Sequence, residues 1–550
     1  MIYPKIPLAQ SLIEICKAKE LHDIVISPGS RNAPLTIGFA SNSAFNCFSI
    51  ADERCAAFFA LGMAQQKQKP VTIVCTSGSA LLNYYPAIAE AFYSQIPLVV
   101  ISADRPKNKI DIGDGQTIRQ ENVFANHILY SANLDENASE ENDIKINEAI
   151  HLAITKKGPV HINIPFEEPL YETVSELSVQ PTVLELFTEN EPFQIDAEAN
   201  SKWNSAKRKL VLIGVNYPKE LSESVMKQLA EDESVVVMTE VTSNVHHSNF
   251  IQNIDTFITP FTDEDFKAFQ PDILVTLGGM VVSKRIKAFF RNYKPKEHWH
   301  VDELRAYNTF GCLTQHFVTT PNMFFDTIFE ATEVVSSDFQ KRATDLMNHR
   351  KVKHNQYFEA TPYSDFKVFG TILPILPKDS QLQISNSSPI RYAQLFDIDS
   401  SIEVFCNRGT SGIDGSTTTA IGAALTSGKP TIMITGDVSF FYDSNALWND
   451  YIPKNFKIIL INNRGGGIFR ILPGHQETPV FNTYFETSHQ LTGEHLAKMF
   501  GFEYVSVSEA SELTSKTAAF LNSDKRSILE IFTPTNVNDT VLKNYFKNLT

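Results

Sequence analysis

At 550 residues and 61.7 kDa the chain is longer than one hydrophobic core can organise, and its length implies about three domains of ordinary size. A net charge of -15 with no basic run argues against a nucleic-acid partner and makes any local group of arginines a purposeful feature.

In chain order, residues 8–19 have helical spacing, and DIVIS (23–27) reads as a strand ending in the turn PGSR (28–31). ADERCAAFFALGMAQQ (51–66) starts a helix at a strand end, with Ala56, Phe59 and Met63 on one face. VTIVCTSGSALLNYYPAIAEAFYSQIPLVVISADRP (71–106) alternates strand, helix and strand, the pattern of a doubly wound α/β domain with a mainly parallel sheet. GPVHINIPFEEPLY (158–171) closes this block, and residues 172–200 read as an acidic, patternless linker.

A second α/β block runs through KRKLVLIG (207–214), DILVTLGG (272–279) and HWHVD (298–302), and a charged helical segment (338–358) leads out of it. A third block opens with LQISNSS (382–388), continues through IEVFCNRGTSGIDG (402–415) and ends on SILEIF (527–532). GSTTTAIGAALTSG (415–428) reads as a helix of small residues able to approach a sheet or a second subunit closely. The internal similarity is architectural, first block to third.

The six cysteines are scattered without a CxxC pair and mostly have apolar neighbours, as expected for reduced core residues of a cytoplasmic protein. MIYPKIPLAQSL lacks a charged segment followed by an apolar one, and the apolar runs are far shorter than a membrane span, so no membrane association is expected.

The most informative stretch is TIMITGDVSFFYDSNALWNDYIPKNFKIILINNRGGGIF (431–469). Two short β-branched runs, 431–435 and 456–461, read as parallel strands joined by a crossover helix over 442–450. In a βαβ unit both strands end at the same edge of the sheet, so Asp437 and Asn463 are predicted to reach one rim, where ligands of open α/β sheets settle. A carboxylate, an amide oxygen and the backbone of Gly465, Gly466 and Gly467 form an all-oxygen donor set suited to Mg²⁺ or Ca²⁺, and a glycine turn beside it suits a diphosphate. Ordinary turn chemistry is the alternative for either half alone.

Gly436-Asp437, 25 residues (438–462) and Asn463 resemble the GDG…NN signature of thiamine diphosphate enzymes, with Val438 in place of the last glycine. The resemblance becomes specific when SPGSRNAPL (27–35), ADER (51–54), TSGSALLNYYPA (76–87), ADRP (103–106), GDGQTIRQ (113–120), SNSSPIR (385–391), NRGTSGIDG (407–415), GDVS (436–439) and NNRGGGIF (462–469) are taken together. This set resembles the 2-succinyl-5-enolpyruvyl-6-hydroxy-3-cyclohexene-1-carboxylate (SEPHCHC) synthase, or MenD, family across the first and third blocks, and in the middle block at SKR (283–285).

The resemblance implies three doubly wound domains: pyrimidine-binding (1–180), central (181–350) and diphosphate-binding (351–550). It also implies a homodimer or a dimer of dimers, with the active site between the first domain of one subunit and the third of its partner. The implied reaction joins the succinyl unit left by decarboxylation of 2-oxoglutarate to isochorismate by conjugate addition, using thiamine diphosphate and Mg²⁺ (or Mn²⁺). Glu53 matches the glutamate that hydrogen-bonds the aminopyrimidine ring, and Ile413 the large residue that props the cofactor in its bent conformation. Read alone, the first is a surface glutamate in a helix first turn and the second is core packing.

By the same resemblance Asp437, Asn463 and Gly465 hold the metal, while Gly436, Val438, Ser439 and Gly466 surround the diphosphate. Ser387 and Arg391 take the succinyl carboxylate. Ser30, Arg31, Arg105, Gln116 and Lys284 face isochorismate, and Arg408, Ile468 and Phe469 line the site near the thiazolium. Both substrates are dianions, and arginine offers the planar fork that grips a carboxylate. An acetolactate-type synthase is the alternative within the superfamily, although such enzymes typically take small apolar acyl groups. A non-catalytic cofactor-binding protein is the alternative outside it, and the presence of Glu53 argues against that.

Overall fold

The computed structural model describes residues 2–185, 193–471, 474 and 476–550. The β-branched runs are buried along their whole length, as in Val71–Cys75, Leu98–Asp104 and Lys457–Asn462. Strands buried on both faces need helices on both sides, which is the parallel, doubly wound arrangement.

Three sheets of this kind form. The first runs, across the sheet, Asn46–Ser49, Asp23–Ile26, Val71–Cys75, Leu98–Asp104, Pro159–Pro165 and Ser131–Asn133, with every pairing parallel. The middle sheet has five strands, Val235–Thr239, Lys209–Ile213, Ile273–Leu277, Glu297–Val301 and Gln315–Phe317, also all parallel. The last runs Glu403–Phe405, Gln381–Ile384, Thr431–Gly436, Lys457–Asn462, Ser527–Phe532 and Glu503–Val507. In the first and last sheets the spatial order is the same: second, first, third, fourth, sixth and fifth strand in chain order. The likeness of the first and third blocks is therefore one of topology.

Contacts divide the chain into two units. The first comprises Met1–Glu189, Gly409–Thr431 and Ser439–Phe456. Its centre, besides the sheet, is the packing of helix Glu53–Lys67 on helix Ser416–Ser427. A Cβ on Gly62 would collide with the carbonyl oxygen of Thr419, and one on Gly422 with that of Phe59, so the two backbones touch where each helix has glycine. The small-residue helix thus meets another helix. Asp443, fully buried, accepts from the backbone N–H of Thr418 at 2.8 Å and from its hydroxyl at 3.0 Å, fixing the start of that helix.

The second unit comprises Asn190–Arg408, Ile432–Val438 and Lys457–Thr550. In its middle sheet alternate residues serve opposite faces: Val211 and Ile213 enter one core cluster, Leu210 and Leu212 the other. The core under the last sheet, built from residues such as Phe366, Leu382, Ile434, Ile459 and Leu529, also takes in Val241 and Val282.

Two expectations are corrected. The crossover helix is Asp437–Tyr442, followed by a 3-10 turn at Ser444–Leu447; it begins directly at the strand end, where an acidic first residue suits the helix dipole. The stretch 172–200 is not patternless throughout: Thr173–Val174 pairs antiparallel with Tyr3–Pro4, and helix Ala197–Ser205 starts where the Asp196 side chain accepts from the Ala199 N–H at 2.7 Å. The part of the expected linker at 186–192 lies outside the described residues. Among the described residues no helix is long and apolar enough to cross a membrane, and all six cysteines are free.

Candidate active site

In the first unit, Ser30, Glu53 and Gln116 line one cleft of about 310 Å³ together with Gly29, Ser77 and Gly78. Glu53 is the first residue of its helix, half-buried, and Asp52 beside it caps the helix by accepting from the Cys55 N–H at 3.1 Å. The turn TSGSA supplies a second wall. Gly78 there has φ +89°, and a Cβ would lie 3.3 Å from the carbonyl oxygen of Gln116, so the turn needs glycine. The Ser77 hydroxyl is buried in this cleft without a hydrogen-bond partner.

The predicted arginines of this unit differ from one another. Arg31 is buried and spoken for: its guanidinium donates to the Phe166 carbonyl at 3.0 Å and to Glu168 at 3.2 Å. Arg105 is half-buried, pairs with Asp114 at 3.3 Å and keeps an unpartnered Nε. Ile413 is half-buried, and its carbonyl accepts from the buried hydroxyl of Ser439 at 2.6 Å. Glu90, also buried, accepts from the Gly409 and Thr410 N–H groups at 2.7 and 2.6 Å and so anchors the loop that carries Ile413.

In the second unit the turns after four neighbouring strands converge. Gly436 pairs with Ile461 across parallel strands, which brings Asp437 beside the Asn463 turn. Asp437 is buried; its Oδ2 accepts from the Gly465 N–H at 3.0 Å and its Oδ1 from the Val438 N–H at 2.7 Å. Val438 lies inside the helix, a conformation open to any residue, so valine can stand where the signature has glycine. Gly465 has φ +152° and a Cβ there would meet the Glu486 carbonyl oxygen, which reserves the position for glycine. The Asn463 amide donates to Asp365 at 2.9 Å, and its carbonyl oxygen is buried with no partner. A buried orphan acceptor next to a carboxylate and a glycine turn fits a hard cation. Burial pushes the Asp365 carboxyl up to about 6, against its bonds from Thr533 and Asn463.

The Gly466–Phe469 turn is held from one side. Arg470, buried, forms a two-pronged ion pair with buried Glu486, whose carbonyl accepts from the Gly466 N–H at 2.6 Å. Phe469 stays exposed and Ile468 half-buried.

On the neighbouring turns Ser387 has φ +73° and ψ -129°, a strained conformation for a residue with a side chain and a mark of a functional turn. The adjacent Asn386 ties its turn to the next, accepting from Arg408 at 2.6 Å and donating to the Asn407 carbonyl at 2.6 Å. The Gly436 N–H donates to Ser385 at 3.3 Å. Arg391 lies within electrostatic reach of Arg408, Asp255 and Glu240; burial, with Arg408, lowers its pKa, and its Nε finds no partner. Both arginines are half-buried, and Asp255 and Glu240 offset part of their charge; two guanidiniums brought this close favour a further anion such as a carboxylate.

Lys284 is exposed at the first position of helix Lys284–Asn292. Sequence reasoning missed its neighbour one turn on, half-buried Lys287, which is the lysine within electrostatic reach of Arg408, Glu240 and Arg391; burial lowers its pKa and Arg408 adds to this. The helical spacing from Lys284 was the only signal for it. Glu240 was missed too: it accepts from the Val282 and Ser283 N–H groups at 2.6 and 2.7 Å, and burial pushes it up to about 7. Asp365 carried no local signal, and Gln120, although it ends the GDGQTIRQ motif, was not singled out within it.

Comparison with known proteins agrees with these two halves. Residues 6–128 match the thiamine pyrophosphate enzyme N-terminal TPP binding domain, and residues 387–531 the C-terminal TPP binding domain. The chain is 68% identical over 551 residues to the 2-succinyl-5-enolpyruvyl-6-hydroxy-3-cyclohexene-1-carboxylate synthase of Flavobacterium psychrophilum, covering 100% of both chains. It is 65% identical over 554 residues to that of Flavobacterium johnsoniae, again covering 100% of both, and 52% identical over 575 residues to that of Christiangramia forsetii, covering 99% of each. With kinship over the full length and both cofactor-binding halves matched, the chain belongs to the 2-succinyl-5-enolpyruvyl-6-hydroxy-3-cyclohexene-1-carboxylate synthase family of thiamine diphosphate enzymes.

Proposed function

We propose that the chain is a transferase of menaquinone biosynthesis that decarboxylates 2-oxoglutarate and adds the succinyl unit to isochorismate, giving SEPHCHC. The observation that carries this reading is the convergence of Asp437, Asn463 and Gly465 with the Ser387, Arg391 and Arg408 turns at one sheet edge: an oxygen donor set with a buried orphan acceptor on Asn463, beside two arginines of which Arg391 has a buried Nε without a hydrogen-bond partner. Thiamine diphosphate, when bound, supplies the electron sink that a 2-oxo acid needs in order to lose CO₂.

The chain's own residues do the rest. Asp437, Asn463 and the Gly465 carbonyl would hold Mg²⁺ (or Mn²⁺), and Gly436, Val438, Ser439 and Gly466 would bind the diphosphate end of the cofactor. Glu53, lining its cleft, would hold or release a proton at its carboxyl toward the bound cofactor's aminopyrimidine, and Ile413 would pack against the cofactor. Arg391 and Ser387 grip the distal carboxylate of 2-oxoglutarate, which a purely apolar pocket would reject. Arg408, Ile468 and Phe469 close round the reacting end. Ser30, Arg31, Arg105 and Gln116 are assigned to isochorismate, Arg31 with its guanidinium held by Phe166 and Glu168, and Lys284, at the start of its own helix, is assigned to the same acid.

Residues 1–180, 181–350 and 351–550 are the pyrimidine-binding, central and diphosphate-binding domains in this reading. A homodimer, alone or as a dimer of dimers, is the working form in the cytoplasm. Incubation with thiamine diphosphate, Mg²⁺, 2-oxoglutarate and isochorismate, followed by mass spectrometry, tests it. The adduct with loss of CO₂ is expected; an acetolactate-type product from pyruvate, with isochorismate untouched, would overturn it.

A further inference from the structure

Gln120 ends the GDGQTIRQ segment and is fully buried, unlike exposed Gln116. Its side chain uses both ends of the amide. The Oε1 accepts from the Gly78 N–H at 2.9 Å, and the Nε2 donates to Asn163 Oδ1 at 2.9 Å, to the Ala103 carbonyl at 3.2 Å and toward Ser102 Oγ at 3.3 Å.

The chain of bonds continues beyond it. Ser102 Oγ donates to Asn163 Oδ1 at 2.8 Å, and the Asn163 amide donates to Asp104 at 2.8 Å. Asp104 in turn accepts from the backbone N–H of Arg105 at 2.8 Å. His161 closes the far side at 2.7 Å from Ser102 Oγ; burial pushes its pKa down to about 3, so the imidazole is neutral there. One buried amide therefore couples two backbone points: Gly78, in the wall of the Glu53 cleft, and Arg105, the cation of the neighbouring turn. Amides buried with every polar atom bonded fix a single arrangement, because any other leaves a desolvated donor or acceptor.

The structure assigns Gln120 as a positioning residue that sets the Gly78 and Arg105 turns relative to each other, and through them the seat of the acceptor acid. It is fully buried and does not line the Glu53 cleft. The assignment rests on the functional reading above, in which Ser30, Arg105 and Gln116 receive isochorismate while Arg391 receives 2-oxoglutarate.

The test compares steady-state kinetics of the parent with Gln120→Leu and Gln120→Glu, with both substrates varied and thermal melts taken alongside. Gln120→Leu removes every bond at similar size and is expected to raise KM for isochorismate by about 10- to 100-fold, the range for a small misplacement of binding groups, while KM for 2-oxoglutarate stays within twofold (roughly). Gln120→Glu, kept protonated by burial, retains the acceptor for Gly78 and one donor. Its KM for isochorismate is expected near the parent's at pH 6 and to climb above pH 8 as the carboxyl ionises, a pH dependence that a scaffold role would not produce. Equal losses for both substrates, or no change in either, in variants that melt like the parent would overturn the assignment. If Gln120→Leu does not fold, Gln120→Glu decides alone: a pH-independent KM overturns it. A parent that forms no product from the two substrates refutes the functional reading itself, and this inference with it.

Discussion

Asn463 donates its side-chain amide N–H to the buried carboxyl of Asp365 at 2.9 Å and keeps its side-chain Oδ1 unpartnered. The bond fixes which end of the amide is free, so Asp365 orients a proposed metal donor without being one. Such outer partners commonly contribute about 10- to 100-fold to metal affinity. Asp365→Leu should therefore weaken Mg²⁺-dependent binding of thiamine diphosphate by about that factor in calorimetric titration, whereas Asp365→Asn, which still accepts, should lose much less. Parent-like affinity in Asp365→Leu would show that Asn463 is oriented by something else. Asp437→Ala serves as the reference for complete loss.

Glu53 lines the first unit's cleft from the first position of its helix. If it exchanges a proton with the aminopyrimidine ring, Glu53→Gln should keep cofactor binding but lower turnover by about 10²- to 10⁴-fold, the usual range for a positioned acid/base group. NMR of cofactor C2-proton exchange should slow in parallel. Exchange at the parent rate in the variant rules this role out.

Arg391 has Arg408 as a like-charged neighbour and an unpartnered Nε, the setting of a cation waiting for an acid. A hydrogen bond to a charged group is worth about 1.5 to 3 kcal/mol, so Arg391→Ala should lower kcat/KM for 2-oxoglutarate by about 10- to 150-fold. Pyruvate has no distal carboxylate, and any activity toward it should fall much less. Equal losses for both acids would move the carboxylate site to another cation, with Arg408 and Lys287 next in line.

Burial pushes Asp443 up to about 7 from the ordinary 3.8, although bonds from Thr418 and the charge of Arg54 pull the other way. The folded form therefore binds its proton more tightly than the unfolded one. Its contribution to stability is complete below about pH 4 and is lost as pH rises through 7. Asp443→Asn should flatten that part of the stability curve by at most ~1.4 kcal/mol per pH unit, read from urea melts between pH 5 and 8. Glu240 and Asp365, raised in the same way, leave a residual slope of the same sign. A curve unchanged by the substitution would mean that Asp443 is ionised throughout.

Gly422 and Gly62 stand where the helices Glu53–Lys67 and Ser416–Ser427 touch backbone to backbone. Adding a methyl to either forces the helices apart, at a cost of about 1 to 3 kcal/mol for overpacking. Gly422→Ala is expected to lower the melting temperature and, because Glu53 starts one of these helices, to reduce turnover as well. A variant that melts with the parent would show that the helices part without strain.

The sequence by itself determined most of the local elements and the succession of three parallel α/β blocks, but not the span of the crossover helix or the strand and helix within 172–200. Buried β-branched runs, glycine turns and helical spacing act over a few residues, and a parallel crossover leaves no choice about which strand ends share a rim. For that reason Asp437 and Asn463 were legible as partners before any coordinates, and Ser30, Glu53 and Gln116 do meet in one cleft. Only the tertiary structure decided what each polar side chain holds. Arg31 reads like Arg105 in the sequence, yet it turns inward to Phe166, 135 residues away; Asn463 finds Asp365 at a separation of 98, and Gly78 finds Gln120 at 42. A hydrogen bond between residues that far apart leaves no periodicity behind, because it depends on where two turns come to rest once the sheets have packed.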